Sequence, residues 1–360
     1  MYRAAFPFYR NVKYNPVPFA FTRNMSIRTA VDEVSKVGEF KRTASAYRNY
    51  IKKGSRFEPE ANRYHLYVSL ACPWACRCLA ALYLKGLEGV IGVTSVHPTW
   101  QRTKLDDPKD EHHGWAFASE SDPPKKSPNG FGSFDCRGCT PDTPNGANFV
   151  RDLYEKVGDT HGKYSVPILW DTREKTIVCN ESQEIVRMFN AEFNDFAKNK
   201  EVDLYPQELV SEIDDINAWV YDGINNGVYR CGFATSQEAY DNAVSSLFSS
   251  LDRVEKLLSD GREFLVGGRL TEADIRLFVT LIRFDEVYVV YFKTNRKLIR
   301  EFPHLKKYVT RLYQVPEVQK SVDMYHIKTH YFTSHPKLNH YAIVPSGSDY
   351  WWEAPLNESK

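Results

Sequence analysis

The feature that most constrains this 360-residue chain is an apolar segment that leads into a cysteine, a proline and a run of helix-forming residues. Residues 64–70 (YHLYVSL) have the β-branched and aromatic content of a buried strand. Pro73 suits the first turn of a helix, where a missing amide costs nothing, and residues 71–85 contain good helix formers. Residues 90–96 predict a second strand. This β-helix-β order predicts a parallel pair of strands.

The remaining pattern predicts a short hairpin and then helices only. Residues 166–170 and 176–179 have strand composition around a turn, and a helix is predicted to follow over residues 182–193. Thr271 and Asp274 precede an apolar run with the spacing of a capping box. The predicted fold class is an α/β domain followed by an all-helical domain, whose helices are expected over residues 208–225, 236–258, 271–287 and 305–314.

Changes in composition place the predicted domain boundaries. We expect a poorly structured arm over residues 1–37, an α/β domain over residues 38–200 and an all-helical domain over residues 201–345. Residues 100–150 are polar, rich in Pro and Gly and without periodicity, which predicts a long inserted loop of undefined role. The tail, residues 346–360, is predicted to lie on the surface or to wrap another element.

The overall charge argues against polymeric partners. The chain has 47 basic and 46 acidic side chains and a formal net charge of +1, so no nucleic-acid partner is expected. No stretch approaches the roughly 20 apolar residues that cross a bilayer, so no membrane partner is expected either. A small-molecule substrate is therefore predicted.

The cysteines and the N-terminal charge bear on the location of the protein. Seven cysteines without regular spacing do not resemble an extracellular disulfide framework, which favours a reducing compartment and a cytoplasmic location. Residues 1–31 carry basic side chains and no acidic one, as organellar presequences do. Mitochondrial targeting is therefore the alternative, with Met25 as a second start for a shorter cytosolic product.

Cys72 is the predicted nucleophile. It lies between the first strand and Pro73, where unpaired amides and the helix dipole favour negative charge and are expected to lower the pKa of the thiol. The alternative is a buried cysteine that acts only as a small apolar side chain. Ala75 occupies the position of the second cysteine in a Cys-x-x-Cys motif, so an external thiol must resolve any disulfide that Cys72 forms.

Two further motifs predict ligand contacts. Val166 precedes a proline, is held extended and can present its backbone to a ligand. Glu181 and Ser182 open a predicted helix whose amides and hydroxyl suit a carboxylate, although a plain N-cap explains them equally well. Together with the Cys72 motif, these segments describe a thioredoxin-like domain that holds glutathione.

Over most of residues 38–345 the chain resembles the glutathionyl-hydroquinone reductases, the xi class of glutathione transferases, which have omega-like relatives. The resemblance rests on motifs in the family's order: GEFKR from Gly38, YVSLACPWA from Tyr67, GWAF from Gly114, VPILWD from Val166, NES from Asn180, NNGVY from Asn225, LTEAD from Leu270, RFD from Arg283 and HIK from His326, with Tyr331. It implies a thioredoxin-like N-terminal domain and an all-α C-terminal domain of the glutathione-transferase type.

The resemblance also implies a reaction and the residues that carry it. Cys72 would attack the sulfur of a glutathionyl-hydroquinone, release the hydroquinone and form a mixed disulfide, which a second glutathione resolves to glutathione disulfide. Tyr229 would donate a proton to the aromatic ring, while Tyr288 and Tyr331 would lower the pKa of Cys72. Glutathione is implied as the co-substrate and a homodimer as the assembly. The implied glutathione site consists of Trp115, Lys163, Tyr164, Ser165, Val166, Glu181 and Ser182.

Three features depart from the family's pattern. Cys76 stands where a histidine is common, and Lys163 replaces a more usual arginine and so lacks its bidentate geometry. The insertion at residues 116–150 has its own composition. Within that insertion, Cys136 and Cys139 have no second ligand pair nearby, so no metal is expected.

Three other functions are compatible with the same motifs to different degrees. An omega-like thioltransferase or dehydroascorbate reductase needs Cys72, Val166 and Ser182 but neither Tyr229 nor Tyr288. A transferase that conjugates glutathione to electrophiles is disfavoured, because conjugation needs a hydroxyl beside the glutathione sulfur and a thiol there favours mixed disulfides. A non-catalytic binding module with the same fold is the alternative of another class.

Overall fold

A computed structural model describes residues 33–356 of the chain. The elements of the N-terminal half are, in chain order, β1 (Tyr64–Val68), α1 (Pro73–Leu84), β2 (Gly92–Ser95), β3 (Gln101–Arg102), β4 (His113–Gly114), α2 (Val150–Lys156), β5 (Ile168–Asp171), β6 (Thr176–Cys179) and α3 (Ser182–Ala191). Four of the strands form a sheet in the order β2-β1-β5-β6, in which β1 and β2 are parallel and β5 is antiparallel to both of its neighbours. The predicted β-helix-β start, the hairpin and its following helix are confirmed, and this half has the thioredoxin-like fold.

Both faces of the sheet are covered, which explains why β1 and β5 are buried over their whole length. On one face, Leu66, Val68 and Leu169 pack with α1 and α3 in the main core. On the other face, Tyr67 and Ile168 pack in a second cluster that includes α2. Because successive residues of a strand point to opposite faces, a strand that is buried on both sides lacks the polar alternation of an exposed one.

The predicted loop over residues 100–150 contains more structure than its composition indicates. β3 and β4 form a short antiparallel pair, and a further backbone bridge joins Lys125 to Phe134. The helix α2 follows directly and is absent from the sequence prediction. Its signal in the sequence is one buried stripe at helical spacing, namely Val150, Leu153 and Tyr154.

Helices connected by loops make up the C-terminal half, which contains no β-strand among its described residues. Its α-helices are α4 (Val210–Val220), α5 (Gly227–Gly232), α6 (Gln237–Leu258), α7 (Glu272–Arg283), α8 (Val289–Tyr291), α9 (Pro303–Tyr313), α10 (Pro316–Gln319) and α11 (Met324–Thr333). The helices predicted over residues 208–225 and 271–287 both finish in a π-helical turn, at Tyr221–Asn225 and Phe284–Tyr288. Such turns insert an extra residue and are frequent at functional sites. Tyr229 follows the first of them and Tyr288 ends the second.

The start of α7 is fixed by the predicted capping box. The backbone N–H of Thr271 donates to Asp274 Oδ2 at 2.8 Å. Asp274 Oδ1 accepts from the backbone N–H of Leu265 at 2.8 Å and from the Tyr308 hydroxyl at 2.9 Å. Burial raises the pKa of Asp274 to about 6, against the effect of these hydrogen bonds. The carboxyl group therefore joins the loop before α7 to α9.

The first described residues pack on both halves of the protein. Glu33 is buried, and Ser236 Oγ donates to Val37 O at 3.1 Å. Residues 33–37, which the sequence analysis assigns to the arm, are thus in contact with the folded protein. Residues 1–32 lie outside the described residues.

Residues 346–356 of the tail pack on the helical half, as one of the two predicted arrangements has it. Trp352 is fully buried and stacks on Tyr350, with ring centroids 5.3 Å apart. Lys328 Nζ donates to Ser346 O at 2.7 Å. The Trp351-Trp352 pair has a packing role. Among residues 33–356, no helix is both long and apolar enough to cross a membrane.

The capping box can be tested with Asp274→Ala. This change leaves buried N–H and O–H donors without an acceptor, at a cost of about 1–3 kcal/mol for each such group. We expect the free energy of unfolding to fall by roughly 3 kcal/mol, measured by urea denaturation. The control Asp252→Ala, at an exposed position on α6, should change it by less than about 0.5 kcal/mol. Equal losses in the two variants would contradict the role of Asp274.

Candidate active site

Cys72 stands at the start of α1, as predicted. Its backbone is extended, with φ −76° and ψ 119°, and its carbonyl accepts the N–H of Cys76 at 2.9 Å. The residue is partly exposed, and its thiol donates to Val166 O at 3.6 Å. The Val166-Pro167 peptide bond is cis. The predicted nucleophile and the predicted Val-Pro segment therefore lie side by side.

The pKa of the Cys72 thiol is raised, so the lowering predicted from its helix position is wrong. Burial is the dominant cause. The backbone N–H groups of Ala75 and Trp74 act in the opposite direction, as the position at the helix start predicts. The positive charges of Arg283 and Arg42 also favour the thiolate. Desolvation outweighs these four effects together.

Arg283 holds the segment before Cys72 from the other half of the protein. Its fully buried guanidinium donates to Ala71 O at 3.1 Å and to Leu70 O at 3.4 Å. Nη2, which donates to Leu70 O, also donates to Cys76 Sγ at 3.0 Å. This arginine extends from the C-terminal end of α7, so it fixes the position of α1 relative to the helical half.

The three predicted tyrosines come together in one hydrogen-bonded cluster. The hydroxyl of Tyr331 lies 2.6 Å from that of Tyr229 and 3.1 Å from that of Tyr288. Burial raises the pKa of all three phenols, which keeps them protonated and able to donate. Within the described chain, the hydrogen bond of Cys72 Sγ goes to Val166 and not to a tyrosine. Lowering of the Cys72 pKa by Tyr288 and Tyr331 stays a prediction.

Two cavities adjoin at this point and share part of their walls. The first contains Cys72 and has walls of aromatic rings from both halves, namely Trp100, Trp115, Tyr229, Phe233, His330, Tyr331 and His335. The second lies along the start of α3. The residues common to both cavities are Arg42, Trp74, Lys163, Ser165 and Val166. Each predicted glutathione residue lines at least one of the two: Trp115 and Tyr164 line the first, Glu181 and Ser182 the second, and Lys163, Ser165 and Val166 line both.

Glu181 and Ser182 are held by Arg77, a residue that the sequence reasoning missed. Arg77 Nε and Nη2 donate to Ser182 Oγ at 3.0 and 2.6 Å. Glu181 is the N-cap of α3 and accepts the N–H of Gln183 at 3.2 Å, so the N-cap interpretation applies to it. The Ser182 hydroxyl, which accepts from Arg77, keeps its own hydrogen for a ligand oxygen. Both an N-cap and a ligand contact are therefore compatible with this pair.

Lys163 is paired with an acidic residue from the start of the described chain. Its Nζ donates to Glu33 Oε1 at 2.6 Å and to Thr43 O at 3.2 Å. Burial lowers the pKa of Lys163, and Glu33 opposes this effect. Because the Glu33 carboxylate forms an ion pair with Lys163, the lysine attracts an approaching carboxylate less strongly than an unpaired lysine would.

Arg42 lies in the wall between the two cavities. Its guanidinium carbon is 5.0 Å from the ring centre of Trp74 and 4.9 Å from that of Tyr229, and Nε donates to Asn226 Oδ1 at 2.9 Å. Nη2 is buried and makes no hydrogen bond to a residue of the described chain. The GEFKR motif that ends at Arg42 carries the resemblance but indicates no role for this side chain. Its place in the wall makes it a cation available to either cavity.

Two histidines of the first cavity are also new. His330 packs on Trp115 with ring centres 4.4 Å apart. His335 Nδ1 shares a hydrogen bond of 2.8 Å with the Tyr291 hydroxyl. Burial lowers the pKa of His335 to about 4 and that of His330 well below its usual value. Both rings are therefore neutral near pH 7 and add aromatic surface rather than charge.

The described residues contain no group of three or more His, Cys, Asp or Glu side chains arranged to hold a metal ion. Cys136 and Cys139 are buried within the insertion, and burial raises the pKa of Cys139 to about 12. All seven cysteines are free thiols.

Two family models match the chain on either side of this site. "Glutathione S-transferase, N-terminal domain" matches residues 71–192, and "Glutathione S-transferase, C-terminal domain" matches residues 237–311.

Individual relatives match almost the whole chain. It is 43% identical to glutathionyl-hydroquinone reductase YqjG of Escherichia coli (strain K12) over 329 residues, which cover 89% of this chain and 92% of that protein. It is 42% identical to glutathione S-transferase omega-like 2 of Schizosaccharomyces pombe over 331 residues, 90% of this chain and 97% of that protein. The crystal structure of glutathione-S-transferase Xi from Phanerochaete chrysosporium has a TM-score of 0.77 and 47% identity, and the match covers 86% of this chain and 97% of that one.

The chain belongs to the glutathione S-transferase family and, within it, to the xi class. The resemblance and the fold class inferred from the sequence are thereby confirmed.

The charge of Arg42 can be tested through the reactivity of Cys72. In Arg42→Gln the thiolate loses a favourable positive charge, so the pKa of Cys72 rises and alkylation at a fixed neutral pH slows. The measurement is the pH profile of iodoacetamide labelling, with Cys72 followed by peptide mass spectrometry. Arg253→Gln removes an arginine that stacks on Trp219 and should leave the profile unchanged. A profile that does not move in Arg42→Gln would refute the effect.

Proposed function

We propose that this chain is a glutathionyl-hydroquinone reductase that uses glutathione as its reductant. The observation that carries the proposal is that Cys72 and the bonded hydroxyls of Tyr229 and Tyr331 line the same aromatic cavity. A thiol nucleophile and a protonated phenol beside an apolar aromatic cavity suit a substrate that contains both a glutathionyl sulfur and an aromatic ring.

The first step transfers the glutathionyl group to the protein. The Cys72 thiolate attacks the glutathionyl sulfur, an S–S bond forms and the bond between that sulfur and the aromatic carbon breaks. The electron pair of the broken bond stays on the ring carbon, which takes a proton from the Tyr229 hydroxyl. The hydroquinone leaves, and Cys72 carries glutathione as a mixed disulfide. The Tyr331 hydroxyl, 2.6 Å away, is placed to stabilise the phenolate that Tyr229 becomes.

The second step restores the thiol. A second glutathione thiolate attacks the glutathione sulfur of the mixed disulfide, forms glutathione disulfide and releases the Cys72 thiolate. Because Ala75 stands where a resolving cysteine would be, this external thiol is required. Overall, the hydroquinone adduct is reduced and two glutathione units are oxidised to the disulfide.

The two cavities divide the substrate between them. The second cavity offers Ser182 Oγ, the Glu181 carboxylate and the start of α3 to the polar backbone of glutathione. The first cavity offers neutral rings to the aromatic part. Cys72 and Val166 lie where the two meet. This division supports the assignment of Trp115, Lys163, Tyr164 and Ser165 to the same glutathione site.

An omega-like thioltransferase or dehydroascorbate reductase is the second candidate. Such an activity needs the Cys72 thiol and the second cavity but neither Tyr229 nor Tyr288. The decisive experiment offers glutathionyl-menadiol or glutathionyl-chlorohydroquinone with glutathione, in parallel with dehydroascorbate and a small mixed disulfide. We expect turnover of the hydroquinone adducts. Turnover of only the latter two substrates would overturn the hydroquinone assignment. A Cys72→Ser protein that keeps full cellular function would favour the non-catalytic binding module.

Tyr229→Phe separates the proton donor from the nucleophile. Loss of the hydroxyl should slow release of the aromatic product by roughly 10²-fold, because the ring carbon loses its acid. Reduction of a small mixed disulfide should be spared, since a thiol leaving group does not need this proton donor. Steady-state kinetics on both substrates give the comparison, with the exposed Tyr341→Phe as control. Equal losses on both substrates would rule out proton donation by Tyr229.

The homodimer and the cytoplasmic location stay predictions, with mitochondrial targeting as the alternative. Size-exclusion chromatography with light scattering tests the homodimer. Fractionation of cells that produce the full chain tests whether the protein is cytoplasmic or mitochondrial.

A further inference from the structure

An arginine-lined cleft lies next to the second cavity and shares Arg77, Glu181 and Tyr221 with it. Four arginine side chains line it, namely Arg48, Arg77, Arg187 and Arg276. They come from the segment before β1, from α1, from α3 and from α7, so both halves of the protein form the cleft.

Two of these arginines are buried and have N–H groups to spare. Arg77 is 1% exposed and Arg276 is 5% exposed. Arg77 Nη1 and Arg276 Nε and Nη1 are buried and have no hydrogen-bond partner among residues 33–356. Buried guanidinium donors that line an open cleft without a protein acceptor call for a ligand acceptor.

Each of the four arginines has a carboxylate partner: Arg48 pairs with Glu184, Arg77 with Glu181, Arg187 with Asp214 and Glu272, and Arg276 with Glu272. Glu272 Oε1 accepts from Arg187 Nη2 at 2.8 Å and from Asn217 Nδ2 at 2.9 Å, but lies 4.0 Å from Arg276 Nη1. Glu181 Oε1 is 3.5 Å from Arg77 Nη2, and the neighbouring Nη1 has no hydrogen-bond partner among residues 33–356. Burial lowers the pKa of Arg276 to about 9, and the charge of Arg77 adds to this effect. The charge of Arg77 therefore acts on Arg276 despite these carboxylates, whose contacts with the two guanidiniums are long, at 3.5 Å for Arg77 Nη2 and 4.0 Å for Arg276 Nη1.

We propose that this cleft binds a small oxyanion, a carboxylate or phosphate group, between Arg77 and Arg276. The planar fork of a guanidinium matches the paired oxygens of both groups, and a negative charge relieves the repulsion between the two arginines. A water molecule could accept hydrogen bonds from these donors, but it would not weaken the repulsion between Arg77 and Arg276. The oxyanion site is separate from the glutathione cavity and is joined to it by Arg77, whose other nitrogens hold Ser182.

Isothermal titration calorimetry on the full chain tests the site with inorganic phosphate, with acetate and with chloride, at constant ionic strength. We expect saturable binding of phosphate or acetate, one per chain, and none of chloride. Arg276→Met should weaken the affinity by roughly tenfold or more. Arg276→Lys keeps the charge but loses the fork, and should also bind more weakly. Arg253→Gln, on the surface of α6, should bind like the unchanged protein.

Three results would overturn the proposal. The first is the absence of saturable oxyanion binding beyond that of chloride. The second is an unchanged affinity in both Arg276 variants. The third is complete displacement of phosphate by saturating glutathione, which would place the phosphate in the glutathione cavity. None of these readings requires turnover, so the site can be judged whatever the outcome for the proposed reductase activity.

Discussion

The buried guanidinium of Arg283 is the contact on which the site depends. It reaches from α7 to the carbonyls of Leu70 and Ala71, directly before Cys72, while Val279 O accepts a further N–H at 2.6 Å. A buried cation is costly unless its N–H groups are satisfied, and these carbonyls satisfy them. The place of the sulfur is consequently set by the packing of the helical half against the α/β half, not by the thioredoxin-like fold alone.

Burial at this junction has opposite consequences for different groups. It raises the pKa of Cys72, which disfavours the thiolate, and the pKa values of the three clustered tyrosines, which preserves them as proton donors. It also lowers the pKa values of His330 and His335 and so keeps these two rings neutral. The result is a wall of uncharged rings suited to an aromatic substrate, with Arg42 and Lys163 where the first cavity meets the second. Two guanidiniums and the amides of α1 offset part of the cost to the thiolate.

Features that depend on neighbouring residues are predictable from the sequence, and features that depend on distant ones are not. The helix start at Pro73 and the capping box at Thr271 follow local rules and are confirmed. Arg283 contacts Ala71 across 212 positions, and no local pattern indicates such a contact. The direction of the Cys72 pKa shift is likewise not predictable from the local sequence, because the helix start is a local feature while the desolvation depends on residues packed around Cys72 from both halves. The roles of Tyr229, Tyr288 and Tyr331 follow from the family resemblance and not from a local pattern in the sequence.

The central claim is that Cys72 takes the glutathionyl group from an aromatic carbon. A single turnover with excess enzyme over glutathionyl-menadiol, without free glutathione, tests it most directly. The account predicts the release of one equivalent of menadiol. It also predicts a mixed disulfide between Cys72 and glutathione, which mass spectrometry of the Cys72 peptide detects. Menadiol release without a glutathionyl adduct on Cys72, or the same release from Cys72→Ser, would contradict it.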